Sequence, residues 1–245
     1  MKLSITTFPW GRLDTPKQLS KVLAEIKKIG FEGVGLEYGI LPNAVKKNPE
    51  LLPSIVAQSG LENGGTYSPG SLSRIKWAKA SGTPLIWFSV KAPTRKLAIE
   101  KIRRFAETAK ENGIIASLHN ELGSAVQTPS ELGQAMKSIK DLTLCLDTAH
   151  GVAAGLDIEK TIEEYRDRIT LVHLKDLRAK IPMKEVRFTR DFVNVGRGII
   201  DLRSAVDKLK DVGYSGQLML EIEALQKEKP DKVVLEGFEY VKNLL

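Results

Sequence analysis

Short apolar runs alternate with amphipathic helical stretches along the whole of this chain. Lys2–Thr7 opens as a strand-like run. Thr15-Pro16 then sets an N-cap and a first-turn proline ahead of the stripe Leu19, Val22, Leu23, Ile26 and Ile29, and Gly30 closes the helix. The same unit recurs. Gly33–Glu37 predicts a second strand with helix Pro49–Ser59, Leu61–Tyr67 a third with Ser71–Ser81, and Pro84–Ser89 a fourth with the long helix Thr94–Asn112. Ile114–His119 is the fifth strand, and its helix Pro129–Ile139 has Thr128 or Ser130 at the cap. Leu142–Asp147 is the sixth, followed by helix Ile158–Tyr165. Ile169–Leu174 is the seventh, and Lys175–Gly198 then reads as a long polar loop before helix Asp201–Val212. Gln217–Glu223 is the eighth strand and Pro230–Leu245 the closing helix.

Strict β-α alternation implies a parallel sheet. Eight such units in 245 residues predict one α/β domain, residues 1–245, built as a (β/α)8 TIM barrel, an architecture of about 250 residues. A doubly wound open sheet is the rival. It ordinarily carries a glycine-rich phosphate loop after its first strand, and Thr6-Thr7-Phe8-Pro9-Trp10 stands there instead.

Composition narrows the classes. An apolar fraction of 42% supplies a large core, and the single cysteine, Cys145, excludes an internal disulfide framework and suits a reducing compartment. The N-terminal residues lack the apolar core of a signal peptide, and no run reaches the roughly 18 apolar residues of a membrane span. The expectation is a cytoplasmic protein with no membrane contact. Net charge is +7. The basic cluster Lys96, Lys101, Arg103 and Arg104 is interleaved with Glu100 and Glu107 at helical spacing, which describes a solvated helix face and argues against a nucleic-acid partner. Nothing here opposes a homo-oligomer.

Candidate chemistry gathers at the predicted strand tips, where parallel barrels build their sites. Leu142–Asp176 stands out, since it holds two of the three histidines, His150 and His173, and the third, His119, ends the fifth strand. Asp147, His173 and Glu221 end neighbouring runs, and either His119 or Glu121 completes a set of N and O donors. Such a set suits one divalent ion: Mn, Co, Zn or Mg. Asp147 could instead cap a helix, but Gly151 and Ala153-Ala154-Gly155 predict no helix start, so a ligand role is expected. Glu221 lies in an apolar strand, where an unpartnered carboxylate is costly. Lys175, two past His173, either stabilises oxyanion charge or makes a rim salt bridge. His150 faces substrate or supports the ligands, and Glu223 is a rim or supporting group. Glu37 binds substrate hydroxyls or pairs with a neighbouring lysine. Arg197, between two glycines, sits beside the ligand or serves only the loop, and Trp10 and Trp87 wall the pocket or cap the core.

Taken together, Gly33-Val34-Gly35-Leu36-Glu37, Leu118-His119-Asn120-Glu121, Leu146-Asp147-Thr148-Ala149-His150, Val172-His173-Leu174-Lys175-Asp176, Gly196-Arg197-Gly198-Ile199-Ile200-Asp201 and Leu220-Glu221-Ile222-Glu223 resemble the xylose isomerase-like TIM-barrel superfamily. That group includes sugar and sugar-phosphate isomerases and epimerases, inosose dehydratases, hydroxypyruvate isomerases and endonuclease IV repair enzymes. The likeness runs over essentially the whole chain, and the stretch from Leu118 to Thr128 looks most like the inosose dehydratase branch, although that branch tends to have His-x-His where this chain has His-x-Glu. By position the resemblance implies His119, Asp147, His173 and Glu221 as ligands of one divalent ion. Most isomerases and epimerases of the group carry glutamate at the His119 position, so a reaction using two glutamates here needs Glu121.

The implied activity is isomerisation or epimerisation of a keto-sugar, polyol or sugar phosphate, by proton abstraction next to a metal-bound carbonyl through an enediolate. Glu221 or Glu121 moves the proton, and Lys175 and His150 act on charge. Loss of a β-hydroxyl would make the same chemistry a dehydratase. A nuclease would need more histidines than three, and a non-catalytic sugar-binding barrel is the remaining rival.

Overall fold

The computed structural model describes every residue from 1 to 245 except Ala224, Gln226 and Lys227. The elements in chain order are β1 (Lys2–Thr6), α1 (Pro16–Ile29), β2 (Gly33–Leu36), α2 (Asn43–Lys47), α3 (Leu52–Ser59), β3 (Glu62–Ser68), α4 (Leu72–Ala80), β4 (Leu85–Phe88), α5 (Arg95–Glu111), β5 (Ile115–His119) and α6 (Pro129–Ser138). They continue with β6 (Thr143–Asp147), α7 (Thr148–Ala153), α8 (Ile158–Tyr165), β7 (Ile169–Leu174), β8 (Asp176–Leu177), α9 (Phe188–Asp191), β9 (Phe192–Val193), α10 (Leu202–Asp211), β10 (Gln217–Leu220) and α11 (Pro230–Lys242). Strands β1 to β7 and β10 pair in parallel and close on themselves in the order β1-β10-β7-β6-β5-β4-β3-β2. This is the eight-stranded barrel that the alternation predicts.

The local signals act as expected at the helix starts. Thr15 caps α1 and Thr128 caps α6, each in a reciprocal capping box, with Gln18 and Glu131. Each cap is worth about 1 kcal/mol. Helix stripes such as Leu19, Leu23 and Ile26 are fully buried against the outward faces of the strands, Val34 and Leu36 among them. The barrel interior holds a separate cluster, Leu85, Trp87, Cys145, Leu171 and Met219. These residues set the inward parity, and the next inward positions along β6, β7 and β10 are Asp147, His173 and Glu221. Register supports this, since Asp147 pairs with His173, and His173 with Met219.

Four expectations change. A short helix, α2, precedes α3, and the eighth strand stops at Leu220, so Glu221 and Glu223 lie just beyond it. The segment 175–198 is not a plain polar loop. It folds into an antiparallel ribbon of β8 and β9 with α9 between them, over a small core of Leu177, Val186 and Phe192. Asp191, fully buried, ties it down by accepting from Arg178, Arg190 and the Arg187 amide. Finally, Asp147 does cap a helix: α7 starts directly after it, and Asp147 Oδ1 accepts from the His150 amide at 2.8 Å. Gly151 sits where α7 packs closely, since a Cβ there would lie 2.9 Å from the Ile158 side chain. The glycine is therefore a packing device and does not break the helix.

Candidate metal and substrate site

The site stands at the C-terminal mouth of four consecutive strands, β5, β6, β7 and β10. One donor atom from each of His119, Asp147, His173 and Glu221 lies within 4.8 Å of all the others. All four side chains are at most one-tenth exposed. Their inward-facing atoms have no hydrogen-bond partner: both ring nitrogens of His119 and His173, Oδ2 of Asp147 and Oε2 of Glu221. His173 Nδ1 is 2.7 Å from Glu221 Oε2, yet the angle is too poor for a hydrogen bond. Buried polar atoms are nearly always satisfied. Four donor atoms converging, one from each residue and none with a hydrogen-bond partner, are what a tetrahedral N/O coordination set looks like without its ion. The residues therefore fit a divalent metal.

Second contacts hold the donors in place. Asp147 spends its two oxygens differently, Oδ1 on the cap of α7 and Oδ2 toward the cluster. Asn120, facing away from the pocket as its parity predicts, accepts from the Asp147 amide at 2.8 Å and donates to the Asp147 carbonyl at 3.0 Å. It thus locks β6 to the end of β5. Thr148 Oγ1 donates to the Lys175 carbonyl at 2.6 Å and accepts its amide at 3.0 Å, which fastens β7 to α7. Sequence reasoning assigned neither residue a role. Both are outward-facing polar residues beside a ligand, and that placement is the only signal they carry.

Lys175 is fully buried. Its Nζ lies 2.6 Å from Glu223, 3.3 Å from both Asp147 and Glu221, and 3.4 Å from His150. Burial favours the neutral amine, but these three carboxylates outweigh it and hold the ammonium well above its ordinary pKa. Burial likewise works against an ionised Asp147 and Glu221, and Lys175 with the nearby imidazoles outweighs it, so both stay charged carboxylates. Burial pushes Glu223 the other way, up, and Glu37 well up, the latter reinforced by Glu221 and Glu223. His150 is kept neutral by burial. Its Nδ1 accepts from the Leu122 amide at 3.1 Å, and Phe188 and Phe192 meet its ring edge-on. The hydrogen of the neutral ring is therefore on Nε2, on the Lys175–Glu223 side.

A cavity of about 230 Å³ opens over the cluster. Glu37, Trp87, Glu121, His150, Glu221 and Glu223 reach it, all expected from the sequence. Trp87 also meets the His173 ring edge-on at 5.2 Å. Tyr67, Phe8, Phe188 and His119 complete the lining. Tyr67 OH donates to Glu121 Oε2 at 3.0 Å and accepts from Ser89 at 2.9 Å. Tyr67, Glu121 and Phe188 also form the partition to an adjoining space of about 550 Å³. Phe188 lay in the stretch read as a loop and gave no periodic signal. Three expected residues are elsewhere. Lys175 stands behind the cavity wall, fully buried against Asp147, Glu221 and Glu223. Arg197 does not reach the cavity, because Glu228 and Glu236 hold its guanidinium at the surface. Trp10 packs half-buried against the outer core instead of walling the pocket. A larger space, about 690 Å³, lies at the opposite end of the barrel by Ile115 and Thr143 and collects no comparable donors.

The model of the xylose isomerase-like TIM barrel family matches residues 23–244. The chain belongs to that family. Family relatives include the inosose dehydratase of Yersinia enterocolitica, 25% identical across 98% of this chain and 94% of the relative. The inosose dehydratase of Geobacillus thermodenitrificans is 28% identical over 155 residues, which is 59% of this chain and only half of that protein. Among solved structures, L-ribulose 3-epimerase superposes with a TM-score of 0.80 at 17% identity, covering all of this chain and 94% of that one. The IolI protein with a bound zinc atom also gives 0.80, at 16% identity, over all of this chain and 98% of that one.

Proposed function

We propose that this chain is a divalent-metal-dependent isomerase or epimerase of a small keto-sugar, polyol or sugar phosphate, working by proton transfer next to a carbonyl. The observation that carries the reading is the buried His119–Asp147–His173–Glu221 set, with its inward atoms unpartnered, beside a carboxylate that is outside it, Glu121. A divalent ion held by those four residues would polarise the substrate carbonyl and stabilise enediolate charge; zinc, named in the IolI structure, is one candidate. Glu121 accepts the proton, with its carboxylate aimed by the Tyr67 hydroxyl. Lys175, buried behind the cavity wall against Asp147, Glu221 and Glu223, adds a permanent positive charge to the field that a developing oxyanion meets. Glu37, kept protonated by its surroundings, donates a hydrogen bond to a substrate oxygen. Trp87 and Phe188 exclude water on the apolar side. Glu121 and Glu221 follow the two outermost of the four strands, so two carboxylates flank the bound substrate, as an exchange of protons between carbons or faces requires.

Dehydration is the second reading, and the inosose dehydratase of Yersinia enterocolitica, aligned along nearly the full chain, favours it. Here Glu37 would protonate the departing hydroxyl. The two readings separate in deuterated water with keto-sugars and inososes as substrates. Deuterium in recovered or product sugar without water loss supports isomerisation or epimerisation, and an enol-derived dione supports dehydration. A purified protein without a divalent ion and without affinity for manganese or cobalt would defeat both.

A further inference from the structure

The metal cluster has a second composition. Cys145 Sγ and one nitrogen each of His119 and His173 also lie within 4.8 Å of one another. Cys145 is fully buried on the same inward face of β6, two residues before Asp147, among Trp87, Leu171 and Met219. Register pairs it with His119 on β5 and Leu171 on β7. Both imidazoles are almost wholly buried, and each has two nitrogens without a hydrogen-bond partner. The same two rings can thus serve either of two third donors, a carboxylate on the cavity side or a thiol on the barrel-interior side.

We propose that Cys145, with His119 and His173, forms a deeper binding position for thiophilic ions such as zinc and cadmium, while Asp147 and Glu221 with the same histidines favour harder ions such as manganese. Donor softness sorts the ions, because thiolate selects zinc-like metals and carboxylate suits manganese and magnesium. On binding, the S–H bond breaks, a sulfur–metal bond forms and the proton leaves to solvent, with no change of oxidation state. Metal choice in this barrel is then set partly by a residue that no substrate touches.

The inference rests on the two histidines acting as metal donors, as in the function proposed above, and the test keeps the two claims apart. Metal-free protein is titrated with cadmium and followed by near-ultraviolet absorption, then titrated with zinc against manganese. A thiolate-to-cadmium band at one equivalent is expected in the wild type and not in Cys145→Ser or Cys145→Ala. The preference for zinc over manganese should fall by about tenfold or more in both variants, with manganese affinity held. Cadmium binding to the wild type without the band, or an unchanged zinc preference, overturns the deeper position and leaves the four-residue site standing. No binding of any ion overturns both.

Discussion

Replacing Lys175 with methionine removes one positive charge from among three carboxylates. At an effective dielectric of about 20, each 3.3 Å contact with Asp147 and Glu221 corresponds to about 5 kcal/mol of Coulomb energy. Those terms do not add to a stability, because burying the ammonium already costs several kcal/mol. The relevant figure is the cost of leaving buried charges unpaired, about 3–5 kcal/mol. Glu223, already pushed toward its neutral form, absorbs part by taking up a proton, so the lower end is expected. For a chain of this length that is a fall in Tm of about 10 °C. A divalent ion offsets the same negative charge. Lys175→Met should therefore be strongly destabilised without metal, bind manganese more tightly than the parent, and recover most of its stability when manganese is added. Its turnover should fall, since the oxyanion loses its cation. Urea denaturation of parent and variant, each with and without manganese, measures all of this except turnover. If the metal-free variant unfolds within about 1 kcal/mol of the parent, or if manganese fails to narrow the gap, the charge balance drawn for this pocket is wrong.

Asp176→Ala should cost about 3 kcal/mol by thermal unfolding, because one buried carboxylate accepts from the amides of Leu177, Gly196, Gly198 and Ile200, and stranded donors are expensive. Substituting Phe188 by alanine should raise KM about tenfold, equivalent to about 1.4 kcal/mol, and leave manganese affinity unchanged, since the ring lines the cavity and packs on His150 and Phe192, outside the four donors; a weaker ion affinity would show that it supports the cluster instead. The Arg197 guanidinium, then Lys232, holds Glu228 down to about 2 from an ordinary value near 4.5. A depressed carboxylate stabilises the fold above its unfolded pKa and loses that contribution as pH falls through the folded one. The Tm difference between parent and Glu228→Gln should thus be constant above pH 4.5, shrink between 4.5 and about 2, and weaken with salt.

Much of the architecture is visible in the chain because the barrel repeats one instruction. An apolar run followed by a helix occurs eight times, with side-chain caps starting α1, α5, α6, α8 and α10, and inward parity carried from Leu171 to His173 and from Met219 to Glu221 locates the donors. Asp147 shows the limit of that reasoning. Judged by the glycine and alanines after it, the next segment predicts no helix, yet close packing against Ile158 demands Gly151 within one. Arg197 fails for another reason: its partners, Glu228 and Glu236, are 31 and 39 residues away, and pairing across such separations leaves no local pattern. The ribbon over the site is likewise built from scattered contacts. Leu177, Val186 and Phe192 are neither periodic nor adjacent, and only the fold brings them together over Leu122 and Ala149.

The divided use of Asp147 has a consequence for which ions this barrel admits. Calcium takes six to eight oxygens and readily draws both from one carboxylate. Here one oxygen is committed to starting α7, so chelation by Asp147 would unwind the first turn of that helix and release the His150 amide. Two imidazoles, one free Asp147 oxygen and the Glu221 carboxylate fall well short of a calcium cage. With an ion held by the proposed four residues, a helix start, ordinarily a matter of folding, would act at this position as an ion filter.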